Sequence, residues 1–295
     1  MALSFRKLHS HFVAEVSPAE LRSVHDPETL AEIRAGMDQY AILVFHDQPF
    51  ADDEQMAFAQ RLDGELHTKT GSRVLVKSRL GNEAVADISN LDIKTGDVIP
   101  PDDRRMVYQL ANMLWHSDSS FKPVPSLCSL LSARIVPPEG GATEFCGTRA
   151  AYDALPDTMK RRVEHFIAVH DFSWSRDQVR PGFFTAEERA VYPPVRHPVV
   201  RTNPANGRRA IFIGAHASHI EGMPIEEGRA LLKELLAHVS QPEFVYSHEW
   251  KEADLVIWDN RCVLHRATPF DTVRYKRFMQ RTTISGDPLE YARAS

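Results

Sequence analysis

From Ser126 onward the chain is a succession of short β-type runs, and this pattern constrains the fold more than any other feature. "SLCSLLSARIV", "FIAVHDF", "AIFIGA", "EFVYSHEW", "DLVIWD" and "RYKRFMQRTTI" are rich in aliphatic, β-branched and aromatic residues. Turn signals such as "PPEGGA", "NPANG" and "DN" separate them. Runs this short bury their apolar faces only by stacking one sheet on another. The pattern predicts a mainly β fold with flanking helices, a β-sandwich or jelly roll.

Two helices are predicted before these runs and two between them. "DPETLAEIRAGMDQY" has Leu30, Ile33 and Met37 at helical spacing, with Asp26 as N-cap and Pro27 in the first turn. "DDEQMAFAQRLDG" reads as a second helix, capped by Asp52 or Asp53 and stopped at Gly64, with the strand "AILVFH" between the two. "RAAYDALPDTMKRRVEHF" is broken near Pro156. "IEEGRALLKELLAHVS" sets Leu231, Leu232, Leu235, Leu236 and Val239 on one face. From Gly71 to Asp103 the chain reads as a long loop system with "ADISN" as a strand end, and long loops often serve as lids or binding loops.

A chain of 295 residues with 43% hydrophobic and 25% charged residues can bury a full core, and a single domain over 1–295 is expected. The net charge of -5 and pI near 6.3 argue against a nucleic-acid or membrane-surface partner. The opening segment lacks the apolar stretch of a signal peptide, and no run approaches a membrane span. Cys128, Cys146 and Cys262 form no CxxC pair, so a reducing, cytoplasmic setting is expected, without a disulfide framework or thiolate zinc site.

The stretch "NMLWHSDSSF" raises the chemical question. If "WHSDS" is extended, His116 and Asp118 project to one face. A second histidine from a distant strand, His265 in "LVIWDNRCVLHRA", would complete a two-His, one-carboxylate set with open positions, as in non-haem Fe(II) oxygenases. In a chain with 14 His a lone His-x-Asp also arises by chance, so the motif needs support. Arg277 and Arg281, four apart in "RYKRFMQRTT", share a strand face. They are either solvated on an edge strand or a pair of carboxylate clamps, one for a co-substrate and one for a substrate.

Together "ADISN", "QLANMLWHSDSSF", "VPPEGGATEFC", "RAAYDALP", "FIGAHASHIEGMP", "EFVYSHEW", "DLVIWDNRCVLHRA" and "RYKRFMQRTT" resemble the Fe(II)/2-oxoglutarate dioxygenase family of taurine dioxygenase. The resemblance is strongest to its 2,4-dichlorophenoxyacetate branch and covers nearly the whole chain. It implies a double-stranded β-helix jelly roll, with Fe(II), 2-oxoglutarate and O2 as cofactor and co-substrates. It implies His116, Asp118 and His265 as iron ligands. Thr143 and Arg277 would hold the distal carboxylate of 2-oxoglutarate, with Asn112 nearby. Arg281 would receive the acidic group of a small carboxylic acid substrate, and His216 would shape the pocket, with His219 a weaker candidate.

The segment from His67 to Glu83 departs from the family pattern, so Lys69, Lys77 and Lys94 stand between substrate contacts and a solvated loop face. The implied reaction is hydroxylation of an aryloxyacetate, giving a phenol and glyoxylate alongside succinate and CO2. The alternatives are a dioxygenase for an alkyl sulfonate or other small acid, and a metal-stabilised binding module without turnover. The sequence specifies no subunit number, and a homo-oligomer stays open.

Overall fold

The computed structural model describes residues 2–67, 84–92 and 94–288. A hairpin of β1 (Ser4–Lys7) and β2 (Ala14–Ser17) leads into α1 (Pro27–Tyr40). The Asp26 carboxylate accepts from the Thr29 backbone N–H at 2.8 Å, as its position predicts, and such a cap is worth about 1 kcal/mol. Strand β3 (Ile42–Phe45) is buried on both faces. Helix α2 (Asp52–Asp63) ends at Gly64, but its cap differs from expectation. Glu54 reaches back to accept from the Ala51 N–H at 2.7 Å, while Asp52 and Asp53 sit inside the first turn. There their charge favours the helix dipole without capping it.

Regular elements emerge inside the expected loop region: β4 (Val85–Ser89), with α3 (Met106–Ala111) just beyond it. Lys69 and Lys77 lie outside the described residues, and Lys94 is exposed. There follow β5 (Ser126–Ile135), β6 (Thr143–Gly147), α4 (Thr148–Ala154) and α5 (Asp157–Val163), the two helices separated at Pro156 as predicted. Then come β7 (Ile167–His170), α6 (Phe172–Asp177), α7 (Ala186–Ala190), β8 (Val195–Pro198), β9 (Val200–Thr202), β10 (Arg209–Ile211) and β11 (Ala217–Ile220). Helix α8 (Ile225–Val239) buries Leu231, Leu232, Leu235 and Val239. The chain closes with β12 (Val245–His248), β13 (Leu255–Asp259), β14 (Val263–Ala267) and β15 (Phe278–Ser285).

One sheet has seven strands in the order β1-β2-β3-β13-β5-β15-β4, and a smaller one has the order β12-β6-β14. Phe145 and Val263 of the small sheet pack against Leu131, Ala133, Val256, Trp258 and Met279 of the large one. This two-layer apolar core is the jelly roll, and β3 and β13 are buried throughout because other elements cover the far face of the large sheet. Helices α1 and α2 cover that face through Leu30, Ile33, Phe58 and Leu62. Helix α8 packs its leucines on Ile220 of β11, in the sheet β11-β7-β8. No helix among the described residues is long and apolar enough to cross a membrane.

Candidate active site

The residues of "WHSDS" do not form a regular strand; His116 makes a single antiparallel bridge with His265 and a turn follows. The backbones exchange two hydrogen bonds, His116 N–H to His265 O at 3.1 Å and His265 N–H to His116 O at 2.8 Å. Because β14 belongs to the small sheet, this bridge fixes both histidines against it, with ring centroids 4.2 Å apart. Gly214 makes the close approach possible. It sits at φ +124°, and a Cβ there would lie 2.9 Å from Trp115 O.

Asn260 holds Asp118 from the other side. Its Oδ1 accepts from the Asp118 N–H at 3.1 Å and from Trp258 Nε1 at 3.0 Å. Its Nδ2 donates to Ser129 Oγ at 2.9 Å, and Ser129 Oγ donates to Asp118 Oδ2 at 2.7 Å. Neither Asn260 nor Ser129 stands out in the sequence. "DN" reads only as a turn, and the network becomes visible once β5 and β13 are paired.

His116, Asp118 and His265 are all buried, and a ligand atom from each lies within 4.8 Å of the others. His116 Nδ1 donates to Leu114 O at 2.7 Å, which leaves Nε2 with a free lone pair. Burial holds the pKa of both histidines below the usual imidazole value, so they stay neutral. Burial would raise the carboxyl of Asp118, but the Arg281 charge and the Ser129 hydrogen bond bring it down to about 2. Two neutral imidazoles and an ionised carboxylate form a donor set that suits Fe(II).

Arg281 donates through Nη1 to Asp118 Oδ1, so its charge is already engaged at the cluster. Arg277 is different. It precedes β15, and its backbone N–H donates to Asn90 Oδ1 at 2.8 Å. Asn90, the last residue of "ADISN", also ties down Thr272 O and Tyr275 O at 2.9 Å each. The Arg277 guanidinium is buried with no acidic partner among the described residues, and burial lowers its pKa to about 10. With Asn112, Asn90, Met106 and Phe270 it lines a cavity of about 200 Å³. Gly141 lies flat against it, since a Cβ there would be 3.4 Å from Arg277 Nε. Thr143 follows two residues later at the start of β6, and its Oγ1 accepts from Trp250 Nε1 at 2.9 Å.

His216 is buried beside the cluster, its ring 6.3 Å from that of His116 and 4.9 Å from Phe121. Its Nδ1 has no partner among the described residues. His219 contacts Ser218 Oγ at 2.9 Å. Phe121, Phe172, Phe183, Phe184 and Tyr108 form a separate aromatic cluster next to His216.

These features coincide with what the chain is similar to. The family model for the taurine catabolism dioxygenase TauD, TfdA family matches residues 4–283. An alpha-ketoglutarate-dependent 2,4-dichlorophenoxyacetate dioxygenase of Burkholderia sp. (strain RASC) is 44% identical, over 96% of this chain and 95% of that protein. A (S)-phenoxypropionate/alpha-ketoglutarate-dioxygenase of Sphingobium herbicidovorans is 35% identical over 97% and 96%. Among solved structures, AAD-2 in complex with Mn(II) and N-oxalylglycine superposes with a TM-score of 0.88 at 42% identity, covering 97% of this chain and 98% of the other. A buried His-Asp-His cluster on a jelly roll, in a sequence that matches this family nearly end to end, places the chain in the TauD, TfdA family as a 2-oxoglutarate-dependent non-haem iron dioxygenase.

Proposed function

We propose that the enzyme hydroxylates an aryloxyacetate of the 2,4-dichlorophenoxyacetate type, releasing the phenol and glyoxylate. His116, Asp118 and His265 are the residues that would hold Fe(II). When bound, the iron with 2-oxoglutarate and O2 supplies the oxidation, and 2-oxoglutarate leaves as succinate and CO2. Arg277 neutralises the distal carboxylate of 2-oxoglutarate in its cavity, and Asn112 lines the same space. Trp250 uses the acceptor side of the Thr143 hydroxyl, which frees the hydroxyl proton for that carboxylate. Arg281 receives the substrate's carboxylate beside the metal, and His216 with Phe121 forms the wall against which the ring packs. Closing these groups around the substrate orients the carbon next to the ether oxygen and excludes water.

The observation that carries this reading is a buried two-His, one-carboxylate cluster together with a buried Arg277 that lacks an acidic partner among the described residues. A binding module has no use for that second feature, because an uncompensated buried cation is costly unless an anion arrives. The relatives that act on 2,4-dichlorophenoxyacetate and (S)-phenoxypropionate support the substrate class. Residues 1–295 form a single catalytic domain, and three buried free cysteines fit a reducing cytoplasm. The test compares succinate and phenol release from 2,4-dichlorophenoxyacetate, phenoxyacetate, cinnamate and taurine. Aryloxyacetates are expected to turn over fastest. Faster turnover of taurine than of every aryl acid would overturn the substrate assignment.

A further inference from the structure

Arg176, at the end of α6, is a second buried guanidinium near the cluster that the functional reading leaves unused. Its guanidinium carbon stands 4.0 Å from the centre of the Phe172 ring and 5.4 Å from that of Tyr108. Its Nη1 donates to Ser175 Oγ at 2.7 Å, and its Nε is buried without a partner among the described residues. No carboxylate pairs with it among the described residues. Phe172 in turn stacks on His216 with ring centres 6.1 Å apart, and Gln178 ties the same segment to Ala215 O at 2.8 Å. Arg176 is therefore one aromatic ring away from the histidine that faces His116.

Arg176 Nε, Tyr108 Oη, His216 Nδ1 and Arg281 Nε are all buried and without a hydrogen bond among the described residues. The charge of Arg176 is also felt at Arg281, at His216 and at His116. Arg281 is compensated by Asp118, so a substrate carboxylate that met Arg281 alone would meet a neutral pair. Arg176 has no carboxylate partner among the described residues, and a buried, unpaired guanidinium is retained at a cost that an incoming anion would offset.

We propose that Arg176 is a second substrate-anchoring residue, which takes the carboxylate of the aryl acid jointly with Arg281 while its aromatic neighbours flank the ring. The proposal rests on the aryloxyacetate reading above. Arginine suits the task because its planar fork can stack on Phe172 and still present N–H groups edge-on to a carboxylate. The alternative is a purely structural role, with Arg176 gluing α6 to α3 through its contact with Tyr108.

Titration into the enzyme loaded with Mn(II) and N-oxalylglycine separates the two. The ligands are 2,4-dichlorophenoxyacetate and its neutral amide. Arg176→Gln is expected to weaken the acid by about thirtyfold, the loss of one charge-assisted contact, and to leave the amide within about twofold. Arg176→Lys should recover part of the acid's affinity, and neither variant should change N-oxalylglycine binding. An unchanged acid-to-amide ratio in Arg176→Gln, or equal weakening of both ligands, would overturn the proposal while the wild-type enzyme still binds the acid. If Arg176→Gln does not fold, Arg176→Lys decides by the same ratio. Failure of the wild-type enzyme to bind the acid at all would instead overturn the aryloxyacetate reading, and this proposal with it.

Discussion

Trp250 Nε1 donates to Thr143 Oγ1 at 2.9 Å, so the indole dictates which way the threonine hydroxyl points. A hydroxyl that accepts from an N–H turns its own proton elsewhere, here toward the proposed carboxylate of 2-oxoglutarate. Trp250→Phe keeps the packing and removes the donor. The expected result is a rise of about fivefold in KM for 2-oxoglutarate, matching a hydrogen bond of about 1 kcal/mol, with iron affinity unchanged. An unchanged KM would show that the hydroxyl needs no orienting.

Arg277→Lys should weaken 2-oxoglutarate more than substrate. Lysine retains the charge but not the two-pronged geometry, and losing one charge-assisted bond costs about 1.5–3 kcal/mol, or roughly ten- to a hundredfold. Apparent KM values for both compounds, measured on the same variant, decide. An unaltered value for 2-oxoglutarate would move the clamp to another residue.

His116→Ala, Asp118→Ala and His265→Ala should each abolish turnover. The three differ in stability. Asp118 compensates Arg281, so its loss leaves a guanidinium whose side chain is only 17% exposed without its anion. Asp118→Ala should therefore cost about 3 kcal/mol, the low end for a broken buried pair because Arg281 keeps some solvent. Thermal melts of the metal-free variants check the order. Asp118→Ala melting as high as wild type would show that the Arg281 contact contributes nothing.

Acid should destabilise the fold through buried histidines. Burial, then the Arg201 charge, lowers the pKa of His197 to about 4, and burial lowers that of His170 well below its usual value. The two rings meet at 5.2 Å. The unfolded chain takes up these protons near pH 6.5 and the folded chain does not. Their contribution to stability is complete above pH 6.5 and is lost as pH falls toward 4. Melting temperatures between pH 7.5 and 4.5 should drop, with a shallower slope in His197→Gln. An identical slope would remove His197 as a source.

The sequence by itself determined the local elements and the identity of the chemistry. Asp26, Pro27 and the Leu30–Ile33–Met37 spacing define α1, because capping and periodicity are local properties. The leucine face of α8 and the break at Pro156 were legible for the same reason. His116, Asp118 and His265 could be named from spacing and from family resemblance, although the extended conformation expected for "WHSDS" gave way to a single bridge and a turn. Only the tertiary structure decided what holds them. Asn260 reaches Asp118 across 142 residues and Ser129 across 131, contacts that exist only once β13 lies against β5. Burial of Arg277 and Arg176 away from carboxylates is likewise invisible in a list of residues. The cost of an unpaired charge depends on which atoms surround it, and the packed sheets and helices set those surroundings.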